Sequence, residues 1–414
     1  MNSSEKDNLT ENQNIAEEQV IEVPQVKFKT KKAISLEAFV FLGIFCGLCC
    51  LAGSKMGALN FLNTMMNTSV DLLVNTVFYI TAVAVLTGAL SGVFSEFGVV
   101  ALINQGLTPL MRPVYGLPGA SAIGVLTCYL SDNPAILTLA EDKGFKRYFK
   151  KYQLPALTNI GTSFGMGLII TTFMVGVPSP SGENFLLAVL IGNVAAIIGS
   201  IVSTRIMLRF TSKIYGKEAA CDIDEDGTHH ELRLNERIVR NGSVGSRLLE
   251  AVLQGGTTGV SLGVAVIPGV LIICSIVLLL TNGPSAAGTY TGAAGEGVAL
   301  LPAIGEKLNF ILKPLFGFSD PRAIAVPITA LGAAGAAIGL VPSMVASGTV
   351  HANDIAVFTA MCMCWSGYLS THVAMMSSLK CSELTGKAII SHTIGGFCAG
   401  IAANWIFKLV TMFI

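Results

Sequence analysis

Long apolar runs alternate with short polar segments along most of the chain. A bilayer core about 30 Å thick requires roughly 20 apolar residues for each spanning helix. We predict a spanning helix for every run of that length, at residues 34–53, 70–94, 153–178, 184–209, 252–281, 354–378 and 388–411. Two less regular apolar stretches, 96–142 and 296–350, lie between these runs and contain glycine and proline. The pattern predicts an all-α polytopic membrane protein.

The composition supports this class of protein. Of the 414 residues, 52% are hydrophobic and 13% are charged, whereas soluble proteins have about 25% charged residues. The formal net charge is zero, so nothing indicates a nucleic-acid partner. Most of the ten cysteines lie inside apolar runs, and we interpret them as small buried residues rather than a disulfide framework. Residues 1–33 are polar and poor in aromatics, which predicts a disordered tail.

A short motif occurs twice in the chain. Arg112–Leu117 and Lys313–Phe318 share the order cation, proline, aliphatic, aromatic, glycine, apolar, and their glycines are offset by 317 − 116 = 201. Glu96 and Glu296 precede the two motifs with an offset of 296 − 96 = 200. Repeated hydrophobic halves with Gly/Pro-interrupted segments at matching positions are typical of transporters.

The positive charges change sides between the two copies. Lysines and an arginine fill the segment 143–151 after the first motif region, whereas 343–354 after the second contains neither residue type. Lys380 and Lys387 lie between the last two spans, where the first copy has the uncharged-to-acidic segment 178–183. Because basic loops mark the cytoplasmic side, this reversal predicts two inverted-topology repeats, each with spanning helices and a Gly/Pro-interrupted gate segment.

The same charges predict the organisation of the chain. Lysines precede the first span, so we place the N-terminus on the cytoplasmic side of the cell (inner) membrane. The tail 1–33 leads to an extra N-terminal span and outer loop at 34–69. The first gate repeat is predicted at 70–209, a cytoplasmic linker at 210–250 and the second gate repeat at 251–414.

A candidate binding segment interrupts the first irregular stretch. Ser131-Asp132-Asn133-Pro134 lies inside an apolar run, and Asp or Asn followed by Pro is a typical helix start. A break at membrane depth is tolerated only where protein or water satisfies the freed backbone groups. We therefore predict that Asp132 and Asn133 bind a solute or a cation, the alternative being an ordinary helix cap near the membrane surface.

Polar side chains also form stripes on two predicted spans. The span 153–178 begins with polar i,i+4 pairs, and the matching span 354–378 has polar residues on one face. Such stripes face the bundle interior or a cavity, although hydroxyls can instead bond to carbonyls of their own helix. The stripe residues that we predict to bind substrate or ion are Asn159, Thr162, Ser163, Ser366 and Ser370.

Titratable residues supply further candidates. Glu96 and Glu296 are predicted proton or cation sites, because intramembrane carboxylates are costly and usually functional; the alternative is that both lie solvated at span ends. His372 and His392 are expected at the protein surface near the cytoplasmic boundary. No cysteines and histidines have the spacing of zinc ligands, so we predict no metal site and no cofactor.

These features resemble the gate-domain superfamily. It contains the nucleoside-recognition gate of concentrative nucleoside transporters, spore-maturation membrane proteins and ferrous-iron permeases. The resemblance rests on two copies of Pro-x-(Tyr/Phe)-Gly-(Leu/Phe), whose gate-motif residues are Pro113, Tyr115, Gly116, Pro314, Phe316 and Gly317. It implies a transporter core in which two re-entrant hairpins or broken helices surround a site at the membrane midplane.

We predict a secondary transporter of a small polar solute, nucleoside-like by the resemblance, with H⁺ or Na⁺ as coupling ion and alternating access between the inverted repeats. One alternative is a non-transporting membrane scaffold or assembly factor. The other is a metal-ion permease, which the lack of a Gly-x4-Gly-Lys-(Ser/Thr) loop for a fused GTPase disfavours. The sequence shows no nucleophile–base pair of the kind that would indicate an enzyme. The predicted partners are the solute and the lipid bilayer, with a homo-oligomer left open.

Overall fold

The computed structural model describes residues 34–133, 135–136, 148–221, 239–265, 267–285 and 287–413. The predicted disordered tail lies outside these ranges. Within them the regular secondary structure is helical, and the one pairing of extended backbone is a bridge between Lys150 and Ala220. The protein is thus an all-α polytopic membrane protein, as predicted, with six helices long and apolar enough to cross a bilayer.

The chain divides into two units, 1–51 and 52–414. The described part of the first unit belongs to helix α1, Leu36–Met56, and nearly all of its side chains up to Leu51 are exposed. An apolar helix of 21 residues with exposed apolar side chains is suited to contact with lipid.

The helices of the second unit form two copies of one order. Each copy has a long helix, a shorter helix, a segment that begins and ends on the same side, a broken helix and a second long helix. We call these segments the first and second hairpins; residues 134 and 137–147 of the first lie outside the described residues. The first copy comprises α2 (Ala58–Glu96), α3 (Val99–Leu110), α4 (Ser121–Leu130), α5 (Ala156–Thr162), α6 (Gly167–Gly176) and α7 (Leu186–Tyr215). The second comprises α8 (Val244–Thr281), α9 (Leu300–Phe316), α10 (Ala325–Gly332), α11 (Ala334–Ala346), α12 (Ala352–Trp365), α13 (Tyr368–Ser378) and α14 (Thr385–Thr411).

Matching helices of the two copies run antiparallel. Gly88 of α2 lies against the backbone of Gly255 of α8, and Gly92 lies against that of Ala251. Residue numbers on α8 therefore decrease as those on α2 increase. Along α7 and α14, Gly199 and Gly395 are in mutual backbone contact, and Ser203 Oγ lies 2.9 Å from His392 Nδ1. Equivalent helices that run in opposite directions require copies of opposite orientation. The inverted repeat is therefore confirmed.

Each copy's first long helix contains a π-helical turn. The turns are Leu72–Val77 in α2 and Gly269–Cys274 in α8, and they lie against each other. A π-turn carries an extra residue per turn and commonly marks a functional position. The pair therefore places an irregular backbone at the contact between the two copies.

The repeated motif ends α3 and α9 and attaches them to the last long helix of their copies. Gly116 (φ 76°) and Gly317 (φ 67°) have the left-handed backbone that favours glycine. On α7, Arg205 donates to the carbonyls of Pro113 and Val114. On α14, Asn404 Nδ2 donates to Leu315 O at 3.0 Å.

The hairpins that follow the motif are re-entrant. Gln153 Nε2, after the first hairpin, donates to Gly116 O before it at 3.0 Å. Ser319, before the second hairpin, donates to Asp354 after it, with Ser319 Oγ 2.6 Å from Oδ2. Because the two ends of each hairpin are in contact, each enters and leaves on one side of the molecule.

The two sides are defined by their contacts. On the linker face, which comprises 148–153, 215–221 and 380–387, Tyr215 OH donates to Glu383 Oε1 at 3.1 Å. On the opposite face, which comprises 177–185 and 346–351, His351 Nδ1 lies 3.2 Å from Glu183 Oε1. The first hairpin starts from the linker face and the second from the opposite face, as inverted copies require.

The structure corrects two predicted boundaries. Helix α2 begins at Ala58 rather than near residue 70, so the expected outer loop is helical from that residue. The predicted span 354–378 is two helices, α12 and α13, because the backbone breaks at Ser366 and Gly367. Helix α12 is buried from Asp354 to Trp365 and packs against α7 and α14, which places this break inside the protein.

Candidate functional site

Four interruptions of helices approach one another inside the second unit. They are the tip of the first hairpin at 131–133, the tip of the second at Ala333, the break 163–166 between α5 and α6, and the break 366–367 between α12 and α13. Asn133 Nδ2 donates to Ser366 O at 2.6 Å, and Gly367 N donates to Ala330 O at 3.0 Å. We call the residues Asp132, Asn133, Gly165, Ser366 and Gly367 the central junction.

The junction depends on the absence of a side chain at Gly165. A Cβ atom there would lie 1.3 Å from Asn133 Oδ1 and 3.0 Å from Ser366 Oγ. Asn133 Oδ1 is buried and has no hydrogen-bond partner among the described residues. An unpaired buried acceptor is rare in proteins and commonly marks a position for a ligand, ion or water.

The junction offers oxygen atoms and helix ends. The Asp132 carboxylate accepts from Asn133 N at 2.7 Å and is partly buried. Helices α4, α10 and α12 end at the junction with their carbonyl ends, and α6, α11 and α13 begin there with their amide ends. Such termini carry partial negative and positive charge, respectively, and broken helices use them to hold ions and polar solutes.

The predicted residues of α5 lie beside this junction rather than in it. Asn159 Nδ2 bonds to Ser203 Oγ, Ser391 Oγ and Ala388 O, which joins α5 to α7 and α14. Thr162 Oγ1 contacts Met375 Sδ at 3.8 Å. Ser163 begins the break, but its hydroxyl donates to Asn159 O of its own helix. The side chain of Ser370 is outside the described part of the structure.

Glu96 and Glu296 are not at the central junction. Glu96 ends α2, and Arg240 Nη1 and Arg247 Nε each lie 2.7 Å from one of its oxygens. Glu296 accepts from Thr291 Oγ1 at 2.7 Å and from the backbone of Thr291 and Gly292. Burial raises the pKa of Glu296, but these hydrogen bonds outweigh it and the pKa lies below its ordinary value.

The gate-motif side chains pack against neighbouring helices at the points where α3 and α9 lead into the hairpins. Tyr115 is buried and its hydroxyl lies 2.8 Å from Ser200 Oγ of α7. Phe316 is buried and stacks on Phe318, with ring centroids 5.4 Å apart. Gly317 has Asn404 against it. Pro113 lies in a π-helical turn, Met111–Tyr115, that continues α3, and Pro314 lies in the last turn of α9.

Asp320 caps the short helical turn before α10. Its carboxylate accepts from Arg322 N at 2.8 Å and forms an ion pair with the Arg322 guanidinium at 2.9 Å. The hydrogen bond from the Arg322 side chain lowers the pKa of Asp320. The pair stabilises the start of the second hairpin.

Sequence reasoning placed two buried histidines wrongly. His372 and His392 were expected at the surface, but both are 0% exposed. Packing of α7, α13 and α14 covers them, and the lysines near them in the sequence lie at helix ends. Their position inside apolar helices was the signal for burial.

Cavities lie on both sides of the junction. One of 220 Å³ on the linker side is lined by residues that include Arg240, Gln254, Leu130 and Ser131. One of 290 Å³ on the opposite side lies beside the π-turn of α2 and is lined by residues that include Asp71, Asn75, Asn282 and Gly339. A third, of 370 Å³, includes Glu296 and Arg322 in its lining. Asp71 and Asn75 belong to none of the sequence candidates.

No protein-family model and no curated protein sequence matches the chain. Solved structures of the concentrative nucleoside transporter CNTnw do match it in fold. A CNTnw variant in an outward-facing state is 13% identical with a TM-score of 0.52, covering 91% of this chain and 88% of that one. CNTnw in an inward-facing substrate-bound state is 13% identical with a TM-score of 0.51, covering 89% and 87%. The chain thus has a nucleoside-transporter-like fold over nearly its whole length.

Proposed function

We propose that the chain is an ion-coupled secondary transporter of a small polar solute of nucleoside-like chemistry, which binds at the central junction. The observation that carries the proposal is the meeting of two re-entrant hairpin tips with two broken helices. The bonds from Asn133 to Ser366 and from Gly367 to Ala330 link each tip to the same break in α12–α13. Transporters commonly build their midplane sites from such discontinuous helices.

The chemistry of the junction supports a polar solute and a cation. The Asp132 carboxylate, Asn133 Oδ1 and Ser366 Oγ supply acceptors for the hydroxyl and N–H groups of a nucleoside. The same oxygens and the carbonyls at the helix ends are suitable ligands for Na⁺. The Asp132 carboxylate is also a suitable acceptor for a proton.

The two-sided cavities support alternating access. The 220 Å³ cavity extends from Arg240 on the linker side to Ser131 at the first hairpin tip. The 290 Å³ cavity extends from Asn282 on the opposite side to Gly339 of α11. Because the repeats are inverted, an exchange of conformation between them would open one cavity to the junction as the other closes.

The distribution of basic residues supports a cytoplasmic linker face. The lysines Lys150, Lys151, Lys217, Lys380 and Lys387 belong to this face. Positive charge is concentrated in cytoplasmic loops. For the metal-permease alternative, the described residues contain no group of three or more His, Cys, Asp or Glu side chains that could hold a metal ion.

Uptake into proteoliposomes tests the proposal. We expect purified protein to accumulate labelled uridine or adenosine under an inward H⁺ or Na⁺ gradient. Asn133→Ala should reduce uptake at least tenfold, because it removes the link to Ser366 and an acceptor. Asp132→Asn should remove the stimulation by the gradient. Asn184→Ala, in an exposed loop of the opposite face, is the matched control and should resemble wild type.

A thermal-shift series keeps the test independent of the chosen solute. A solute that binds the folded protein stabilises it by about 2.7 kcal/mol at 100 times its Kd. We expect the shift to disappear in Asn133→Ala and to persist in Asn184→Ala. The proposal is wrong if nucleosides, amino acids and organic acids produce neither uptake nor a shift.

A further inference from the structure

Two buried histidines form a cluster between the central junction and the linker face. The imidazole centroids of His372 on α13 and His392 on α14 are 4.6 Å apart. The Tyr368 ring packs on both, at 5.5 Å from His372 and 5.1 Å from His392. Imidazole is the side chain whose charge changes most readily near neutral pH, so a buried pair requires an explanation.

A chain of hydrogen bonds fixes the proton arrangement of His392. Its Nε2 faces Cys364 O, which can only accept, so Nε2 carries a hydrogen. Its Nδ1 lies 2.9 Å from Ser203 Oγ. Ser203 Oγ in turn accepts a hydrogen bond from Asn159 Nδ2 at 2.9 Å. A neutral His392 therefore accepts from Ser203 and donates to the last turn of α12, next to the break at Ser366.

His372 has a different environment from its neighbour. Both of its ring nitrogens are buried and lack a hydrogen bond of good geometry among the described residues; its polar contact is with the Tyr368 backbone of its own helix. An imidazole in this position leaves at least one ring nitrogen unused, which costs free energy. Such a group commonly has a functional role.

The groups that surround the pair are neutral or directed elsewhere. The titratable side chain that packs on both imidazole rings is Tyr368, and its hydroxyl forms a hydrogen bond with Thr393. The Cys364 thiol of α12 donates to Ala196 O. On α7, Arg205 donates to Pro113 and Val114, away from the pair. The charged residues of α13, α14 and their connection are Lys380, Glu383 and Lys387 at the linker-face ends and Lys408 in the last turn of α14.

We propose that His372 and His392 form a site for one proton and that transport requires this proton in addition to the cation or proton at Asp132. A cation on either ring is disfavoured in the packed arrangement, because no carboxylate faces it within the described contacts and burial removes its hydration. Protonation therefore favours an arrangement in which α13 separates from α14 and water reaches the rings. A ligand that binds one arrangement better shifts the population toward it.

The site is placed to act on the central junction. His392 satisfies Cys364 O, while Asn133 satisfies Ser366 O two residues later. Helix α13 begins at Tyr368, two residues after Ser366, so its separation from α14 loosens the break that the first hairpin tip holds. Proton binding and the position of the tip are thereby linked. This inference rests on the proposed function for its role in coupling, but proton binding itself can be measured without a solute.

The fluorescence of Trp365 provides that measurement. Trp365 packs on Tyr368 with ring centroids 6.3 Å apart, and a Trp405→Phe background isolates its signal, since the chain has two tryptophans. We expect the emission of the full-length protein in nanodiscs to shift to longer wavelength between pH 8 and pH 5. The shift should be lost in His372→Gln and His392→Gln. It should persist in His351→Gln, a matched control on the opposite face.

Uptake gives the second readout. We expect an inward proton gradient to raise uridine uptake at least tenfold in wild type and His351→Gln, and to have no effect in His372→Gln. Retained stimulation in His372→Gln, or a fluorescence shift unchanged by both histidine substitutions, overturns the proton site. Absence of any uptake with an intact histidine-dependent shift instead contradicts the proposed function and leaves proton binding supported. If His372→Gln does not fold, His392→Gln and a wild-type pH series decide the question.

Discussion

At the residue scale, the surroundings of a carboxylate depend on partners that are distant in sequence. Glu96 and Glu296 hold matching places before the two motifs, yet their contacts differ. Glu96 is paired with Arg240 and Arg247 near the end of the linker, whereas Glu296 accepts hydrogen bonds within its own loop. Their roles as proton or cation sites stay predictions, and Asp132 is the carboxylate at the central junction.

Glu296→Gln tests how much the hydrogen bonds that Glu296 accepts within its loop stabilise the fold. The folded-state pKa of Glu296 lies below its ordinary value, so the charged carboxylate stabilises the fold above the unfolded value of about 4.3 and loses that contribution as pH falls through the folded value. We expect the substitution to cost about 1 kcal/mol at pH 7 and much less at about pH 2.5, where protonation of the folded state removes the contribution. Melting temperatures at both pH values check this, with the exposed Glu306→Gln as control. An effect of equal size at both pH values would contradict it.

Asp132, Asn133 and Ser366 of the central junction were candidates from the sequence, whereas Gly165 and Gly367 were missed for physical reasons. Asn133 was predictable because Asn followed by Pro inside an apolar run indicates a helix interruption. Gly165 was not, since its role arises from the approach of Asn133 Oδ1 from a different hairpin. The position of His372 and His392 inside apolar spans was a local signal for burial, whereas their approach to each other depends on the packing of α13 against α14, which no local pattern reports.

At the element scale, spanning helices were predictable and the breaks inside them were not. Apolar runs indicated α7 and α14 because length and composition suffice. The break between α5 and α6 contains no proline, and Met166 takes a positive φ of 55° there. A re-entrant hairpin and a spanning helix also have similar apolar composition, so the contacts of Gln153 and Ser319 were needed to distinguish them.

Neighbouring glycines of α8 provide a test of helix packing. A Cβ on Gly255 would lie 2.3 Å from Gly88 O of α2, whereas a Cβ on Gly256 would lie 3.6 Å from a Val85 methyl group. Alanine gains up to about 1 kcal/mol over glycine in a helix interior at either position. We expect Gly256→Ala to be neutral or stabilising.

Gly255→Ala should instead destabilise by about 1–3 kcal/mol, because overpacking against a backbone forces α2 and α8 apart. Thermal unfolding of both variants in the same detergent measures the difference. Equal melting temperatures for Gly255→Ala and Gly256→Ala would show that these helices do not pack through this contact.

At the scale of the whole molecule, the reversed loop charges and the antiparallel helix pairs both follow from the inverted orientation of the two copies. The charges predicted it because the positive-inside rule applies to each loop separately. The copies are nevertheless unequal. Helix α2 continues to Glu96, whereas α8 ends at Thr281 and most of 282–299 is irregular. The motif offset could not indicate this difference, since Glu96 and Glu296 precede the glycines of their motifs by nearly equal distances, 116 − 96 = 20 and 317 − 296 = 21.

Accessibility of repeat-related positions tests the inverted arrangement directly. Ser181 precedes α7 and Glu383 precedes α14, so they hold matching places in the two copies, yet they belong to opposite faces. We expect Ser181→Cys and Glu383→Cys to react with a membrane-impermeant maleimide from opposite sides of the membrane. The chain without an added cysteine gives the background of the native thiols.

Two further positions complete the test. Lys217→Cys should react from the same side as Glu383→Cys, and Ser347→Cys from the same side as Ser181→Cys, because each pair shares a face although its members belong to different copies. With a cytoplasmic linker face, the first pair reacts only after the cells are permeabilised. Labelling of Ser181→Cys and Glu383→Cys from one side would contradict the inverted repeat. If each pair reacts from one side but the pair on the linker face is labelled from outside the cell, the inverted repeat stands. In that case only the predicted orientation of the protein in the membrane is reversed.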